Sequence, residues 1–185
     1  MKKYYVVIIV FLFLISGCIS ISAPIQYYIG DKGPGGGYIF YTYTTAAGRF
    51  FLEVGPEETE KELSFGQSAF DQKLSNGGGH GLSNTTFLAR DFRKAGFNNQ
   101  NNAILYCDEL VFNEFDDWYL PSVDELLAIY TNLYLNNIGN LKKSEYWSSF
   151  HDYRGAHYVN FSNGESLGTI FYEGKHFVRP VRRFK

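Results

Sequence analysis

The chain has 185 residues, 45% of them apolar and 18% aromatic, with 17 Lys plus Arg against 19 Asp plus Glu. That length suits one domain, and a formal charge of −2 excludes a globally basic nucleic-acid binder, so no nucleic-acid partner is expected. The apolar content excludes a disordered chain, and two cysteines are too few for a disulfide-stapled scaffold.

The averages mix two unlike segments. Lys2 and Lys3 precede an uninterrupted apolar run from Tyr4 to Ile15, twelve residues long. A membrane-spanning helix needs about 20 apolar residues, so residues 1–17 read as an export signal and not as an anchor. The run ends in Ile15-Ser16-Gly17-Cys18. This resembles a bacterial lipobox, whose cysteine is diacylated and becomes the first residue after cleavage. An ordinary secretory signal cut near Ser22-Ala23 is the alternative. Lipidation at Cys18 would hold the protein at a membrane without a transmembrane helix, each buried CH₂ contributing about 0.8 kcal/mol. Ile19 is not the aspartate that goes with inner-membrane retention in enterobacteria, which points to the outer membrane or cell surface. Residues 18–27 then form a lipidated N-terminus and tether, and 28–185 the domain. Because the signal carries two lysines and no acid, the mature chain has 15 cations against 19 acids, a formal charge of −4.

Along the domain, Ile29 to Gly37 is a glycine-rich turn that must run close to other backbone or adopt positive φ. A phosphate-cradling loop is rejected there, because no Lys-Ser/Thr and helix follow. Tyr38–Thr44 and Arg49–Val54, rich in aromatic and β-branched residues, predict a hairpin. Glu57 to Glu62 reads as an acidic, exposed loop. Ser75 to Gly81 is a second glycine-rich turn, in which His80 reads as solvent-exposed or backbone-bonded rather than as a metal ligand. A helix is predicted from Asn84-Thr85 to Lys94. After an interruption at 96–101 comes a second, with Ala103, Cys107, Leu110 and Val111 on one face. That spacing favours Cys107 as a buried small hydrophobe over a reactive thiol.

The clearest local signal is Asp116-Asp117-Trp118-Tyr119-Leu120-Pro121 followed by Ser122-Val-Asp-Glu125, a capping box. Leu126, Ile129, Tyr130 and Leu133 then recur at helical spacing up to Asn136-Asn137 and Gly139. Short strands are predicted at 145–149, 156–161, 168–172 and 176–182, with Pro180 tolerated only at an edge or bulge. Strand, helices and strands again make an α+β domain of short antiparallel sheets with two to three helices, whose first and last segments can pair.

Gly33-Pro-Gly-Gly-Gly37 with Ile39-Phe40-Tyr41, Asn84-Thr85, Asp117-Trp-Tyr-Leu-Pro-Ser122 with Glu125-Leu126, Tyr146-Trp-Ser-Ser149 and Val178-Arg-Pro-Val-Arg182 occur in a fixed order. In that order they resemble the DUF1566 family, whose members include the C-terminal domain of a collagen-like adhesin of Legionella. The resemblance implies a C-type-lectin-like fold, related in outline to the formylglycine-generating enzyme group. It also implies export and, in the adhesin, a homotrimer that binds sulfated glycosaminoglycans. This chain lacks collagen-like repeats, and its mature charge is acidic where a polyanion binder wants a basic field.

The reading that follows is a non-catalytic envelope module recognising a glycan or host matrix ligand. Its candidate residues are the polar-aromatic run Trp147, His151, Asp152, Tyr153 and Arg154, expected in a loop, with the C-terminal cations Arg179, Arg182 and Arg183. On one strand, Arg179 and Arg183 would share a face and Arg182 would oppose them. Trp118 and Trp147 serve equally well as core. Asp116, Asp117, Asn163 and Glu165 carry the oxygen ligands that Ca²⁺ takes, although turn and capping duties explain them more cheaply. A structural envelope lipoprotein contacting other proteins is the alternative. An enzyme of the formylglycine-generating group is less expected, because Cys107 has no mature cysteine partner and no triad or HExxH motif is present.

Overall fold

The hairpin forms as β1 (Tyr38–Thr45) and β2 (Gly48–Val54), closed by a tight turn in which the Ala47 N–H donates to Thr45 Oγ1 at 3.1 Å. The computed structural model to which these elements belong describes residues 25–66, 74, 77–98 and 101–185; the signal segment and Cys18 lie outside the described residues. The other elements are β3 (Lys61–Ser64), α1 (Gly81–Lys94), α2 (Ala103–Asp108), α3 (Val123–Asn132), β4 (Glu145–Asp152), β5 (Gly155–Asn160), β6 (Glu165–Thr169), β7 (Lys175–Val178) and β8 (Val181–Phe184). The architecture is mixed α+β, with a three-stranded sheet ordered β1-β2-β8 and a five-stranded sheet ordered β3-β7-β4-β5-β6. No helix among the described residues is long and apolar enough to cross a membrane.

The last segment of the chain belongs to both sheets. Residues 176–182, expected as one strand, are two strands, because Pro180 has no N–H with which to continue a ladder. Its carbonyl accepts instead from the Gly55 N–H at 2.8 Å, and beyond it β8 pairs antiparallel with β2, joining first and last segments. On the other side of the break, β7 lies between β3 and β4 and runs parallel to β4 at Tyr146 and Phe177, so the larger sheet is mixed, not purely antiparallel.

β4 is buried on both faces, and alternation along it sorts its residues between two apolar clusters. Trp147 joins Leu88, Phe92, Ile104 and Cys107 of α1 and α2. Tyr146 joins Leu126 and Ile129 of α3, together with Phe40, Leu52 and Val181 from the smaller sheet. Cys107 is fully buried, and burial pushes its thiol pKa well up. α2 stops at Asp108 instead of continuing through Val111, which is 70% exposed. At the other end of α2, Asn102 Oδ1 accepts from the Leu105 N–H at 2.9 Å.

Strand boundaries also move. β4 continues through Asp152, so the expected 150–154 loop is mostly strand. β6 starts at Glu165, where the Glu165 N–H donates to Asn163 Oδ1 at 3.1 Å in the preceding turn. The expected acidic loop at 57–62 is a 3₁₀ turn (Glu57–Thr59) followed by β3, and the side chain of Glu60 between them is buried. Its carboxylate receives Arg179 Nη1 at 2.8 Å, Lys142 Nζ at 3.0 Å and the Tyr146 hydroxyl at 2.7 Å.

The glycine-rich arm before β1 does hold an anion, and that anion is the protein's own. The N–H groups of Gly35 and Gly37 donate to the Glu53 carboxylate at 3.0 and 2.8 Å. Glu53 is completely buried; burial raises its pKa against the pull of those two N–H groups and of Arg182. A Cβ on Gly37 would overlap the Val54 carbonyl oxygen, which fixes glycine at that position.

Candidate functional site

The capping box forms as read: the Glu125 N–H donates to Ser122 Oγ at 3.3 Å, and the Ser122 N–H donates to Glu125 Oε2 at 2.7 Å. The same carboxylate does more than cap. Its Oε1 accepts from the Tyr119 hydroxyl at 3.0 Å and from the Gly79 N–H at 3.2 Å, tying the second glycine-rich turn to the start of α3. Burial raises the Glu125 pKa, and the hydrogen bonds from Ser122, Tyr119 and Gly79 oppose the rise. Gly81 opens α1 three residues earlier than expected; a Cβ there would strike both this carboxylate and the Leu120 carbonyl.

Glu125 forms the floor of a cleft of about 600 Å³ between β1, the 78–80 turn and the first turn of α3. One wall is aromatic. Tyr41 and Tyr43 occupy alternate positions on β1, their rings 6.3 Å apart, and Tyr41 is 44% exposed. Tyr43 stacks on Phe50 at 5.2 Å, and its hydroxyl accepts from Arg183 Nη1 at 3.3 Å. The rim carries Arg183, with Asp124 and His80 exposed. Aromatic faces beside a few convergent donors and acceptors suit a small polar ligand with an apolar ring face.

Of the residues singled out from sequence, the structure brings Arg183, Glu125 and His80 to this cleft and sends the candidate ligand and metal residues other than Arg183 elsewhere. Trp147 is a core residue with no exposed surface, and its indole N–H donates to the Leu63 carbonyl at 2.9 Å. Trp118 is 2% exposed. Leu120 is buried, its N–H donating to Thr85 Oγ1 at 3.0 Å, while the Pro121 carbonyl accepts from the Ser149 N–H at 2.7 Å. His151 is buried in β4, with Nε2 3.1 Å from the Tyr172 hydroxyl. Asp152 is buried and clamps the β4–β5 turn, with His157 Nε2 at 2.9 Å, the Arg154 N–H at 2.8 Å and Arg154 Nη2 at 3.0 Å. Tyr153 and Arg154 do stand at the surface, at the far end of the larger sheet.

The C-terminal cations are not one patch. Pro180 breaks the alternation that would have set Arg179 and Arg183 on a common face. Arg179 is buried, donating to the carbonyls of Gly55, at 2.8 Å, and Gly139 as well as to Glu60. Arg182 is buried against Asp117 and Glu53. Among the metal candidates, Asp117 is thus an ion-pair partner, and Asn163 Nδ2 bonds Glu165 Oε2 at 2.7 Å across the β5–β6 turn. Asp116 is exposed beside Asp117, in another part of the fold from that turn. No group of three or more His, Cys, Asp or Glu placed to hold a metal ion occurs among the described residues.

Tyr41, Tyr43 and Asp124 escape a reading of the sequence. The two tyrosines look like ordinary strand residues, and Asp124 like helix-start punctuation; only the exposed side of the hairpin, predictable from alternation, hints at a wall. No family model and no curated protein matches the chain.

Proposed function

We propose that this protein is a non-catalytic, lipid-anchored module of the bacterial cell envelope that recognises a glycan in the cleft over Glu125. The observation that carries the reading is the exposed Tyr41 ring beside Tyr43, facing a rim of one arginine, one histidine and one exposed carboxylate. Sugar rings stack their C–H faces on aromatic rings while their hydroxyls bond to such groups. The order of motifs that resembles the DUF1566 family supports the same reading, and with it a C-type-lectin-like description of the architecture and a homotrimeric assembly. The lipobox-like Cys18 supports anchoring at the outer membrane or cell surface.

The ligand favoured is a neutral sugar, not a polysulfated one. Arg179 and Arg182 are already consumed by buried carboxylates, and Arg183 shares the lining of the cleft with Asp124 and Glu125, so no basic field meets a polyanion there. A glycan array probed with the purified chain tests this. Neutral pyranose glycans are expected to bind, with at least tenfold loss in Tyr41→Ala and Asp124→Asn. Silence across neutral and sulfated glycans alike overturns the reading.

That silence would favour a structural lipoprotein that contacts other proteins, for which there is a separate observation. Tyr153, Ile170 and Phe171 are 91%, 67% and 77% exposed at one end of the larger sheet, where the β4–β5 turn abuts the end of β6.

A further inference from the structure

We propose that the glycan taken by the cleft over Glu125 carries a single carboxylate on the residue next to the one stacked on Tyr41, received by Arg183 and Lys185; the inference rests on the reading of that cleft as a glycan site. The register of the smaller sheet puts these groups on one face. Tyr41 pairs with Leu52 and Tyr43 with Phe50, while Arg183 lies opposite Leu52 on the other side of β2. Alternation carried one residue past β8 returns Lys185 to the side of Arg183, opposite Phe50. Leu52 and Val181 of this face pack with Leu126 and Ile129 of α3, whereas Phe50, nearer the hairpin turn, is only half-buried.

Phe50 gathers the two cations. The Arg183 guanidinium lies over its ring at 5.5 Å and the Lys185 ammonium at 5.1 Å, and Tyr43 stacks on it with the ring planes 17° apart. Arg179 and Arg182 are each paired with a buried acid, but Arg183 and Lys185 are paired with no carboxylate among the described residues. Arg183 donates from Nη1 to the Tyr43 hydroxyl, which leaves Nε and Nη2 for a ligand. Two like charges held at one ring repel each other, and a carboxylate set between them relieves that repulsion and takes the planar edge of the guanidinium. One charge is the limit, because Asp124 and Glu125 share the cleft lining with Arg183 and disfavour further anionic groups. The ring on Tyr41 stays neutral. Ring-to-ring steps of 6.3 Å from Tyr41 to Tyr43 and 5.2 Å from Tyr43 to Phe50 put the carboxylate on the adjoining residue.

The test is an array in which each neutral glycan is printed beside its counterpart with one hexose oxidised to a hexuronate, read with the purified chain at low and high salt. The hexuronate member should bind about fivefold more tightly, and the advantage should shrink as salt rises. Lys185 is exposed, so Lys185→Gln leaves the fold intact, and in that variant the two members should bind alike. A second hexuronate should add nothing, and a further gain overturns the limit to one charge. Equal binding of the paired glycans by the wild-type chain overturns the carboxylate site and leaves the glycan reading standing, as does an advantage that persists in Lys185→Gln. Binding of the hexuronate members alone supports the carboxylate site and overturns the preference for a wholly neutral ligand. Silence toward both members overturns the glycan reading and this inference with it.

Discussion

Arg182 holds Asp117 at two points, Nε to Oδ1 at 2.7 Å and Nη2 to Oδ2 at 3.0 Å, while its Nη1 reaches the buried Glu53 at 3.4 Å. The guanidinium also lies over Phe115 at 3.6 Å. One arginine therefore ties the loop before α3, strand β2 and the glycine-rich arm to β8. Arg182→Ala leaves the Glu53 carboxylate buried without its cation, and a loss of about 3–5 kcal/mol is expected in urea unfolding. Arg182→Lys cannot reproduce the fork and should recover only part of it.

The glycines divide by what surrounds them. Gly37→Ala places a methyl against the Val54 carbonyl and should cost about 3 kcal/mol, the scale of an overpacked site. Gly48 has φ +121°, and nothing lies within 4 Å of where a methyl would sit, so Gly48→Ala meets only backbone strain, about 1–2 kcal/mol. Thermal unfolding of the two variants side by side should show that order.

Asp152 sets an acid limb to the stability curve. Burial pushes its carboxyl pKa up, but the hydrogen bonds from His157 and from the Arg154 side chain and backbone outweigh that and hold it at about 2, below the ordinary 3.8. A depressed carboxyl stabilises the fold fully above its unfolded value and loses that contribution as pH falls through the folded one. Asp152→Asn is therefore expected to be less stable than wild type above about pH 4, with the gap closing as pH falls toward 2. A constant gap across that window would show that the stabilisation does not come from the ionised carboxyl.

Cys107 is fully buried with a raised pKa, so an aromatic disulfide reagent should leave it unmodified in the native protein and label it only after denaturation.

Tyr41 and Trp147 should separate binding from folding. Tyr41→Ala is expected to lower glycan affinity with little change in the unfolding midpoint, whereas Trp147→Ala removes a fully buried ring and should cost about 3–5 kcal/mol. Any binding lost in Trp147→Ala would then track the unfolded fraction measured by circular dichroism.

The parts legible in the sequence are those whose physics is local. The Ser122–Glu125 box and the hairpin at 38–54 are written in side-chain identity and alternation, and both form. What depends on distant partners is not legible. Glu60 looks like one more acid in an exposed loop until Arg179, 119 residues later, arrives beside it. The same holds for Arg182 and Asp117, 65 residues apart. Arg179 and Arg182, read as ligand-binding cations, become internal counter-ions for this reason, and a cleft assembled from β1, α3 and β8 cannot be seen from any one of them.

The division of residues 175–184 between β7 and β8 bears on the order in which the two sheets close. The β1–β2 hairpin can zip as soon as it is made, yet its outer neighbour and the strand between β3 and β4 are both supplied by residues 175–184. Such long-range closure is slow and comes late. Until residues 175–184 are in place β3 has no partner in its sheet and β2 lacks its second neighbour, so neither sheet can close on the segments that precede them.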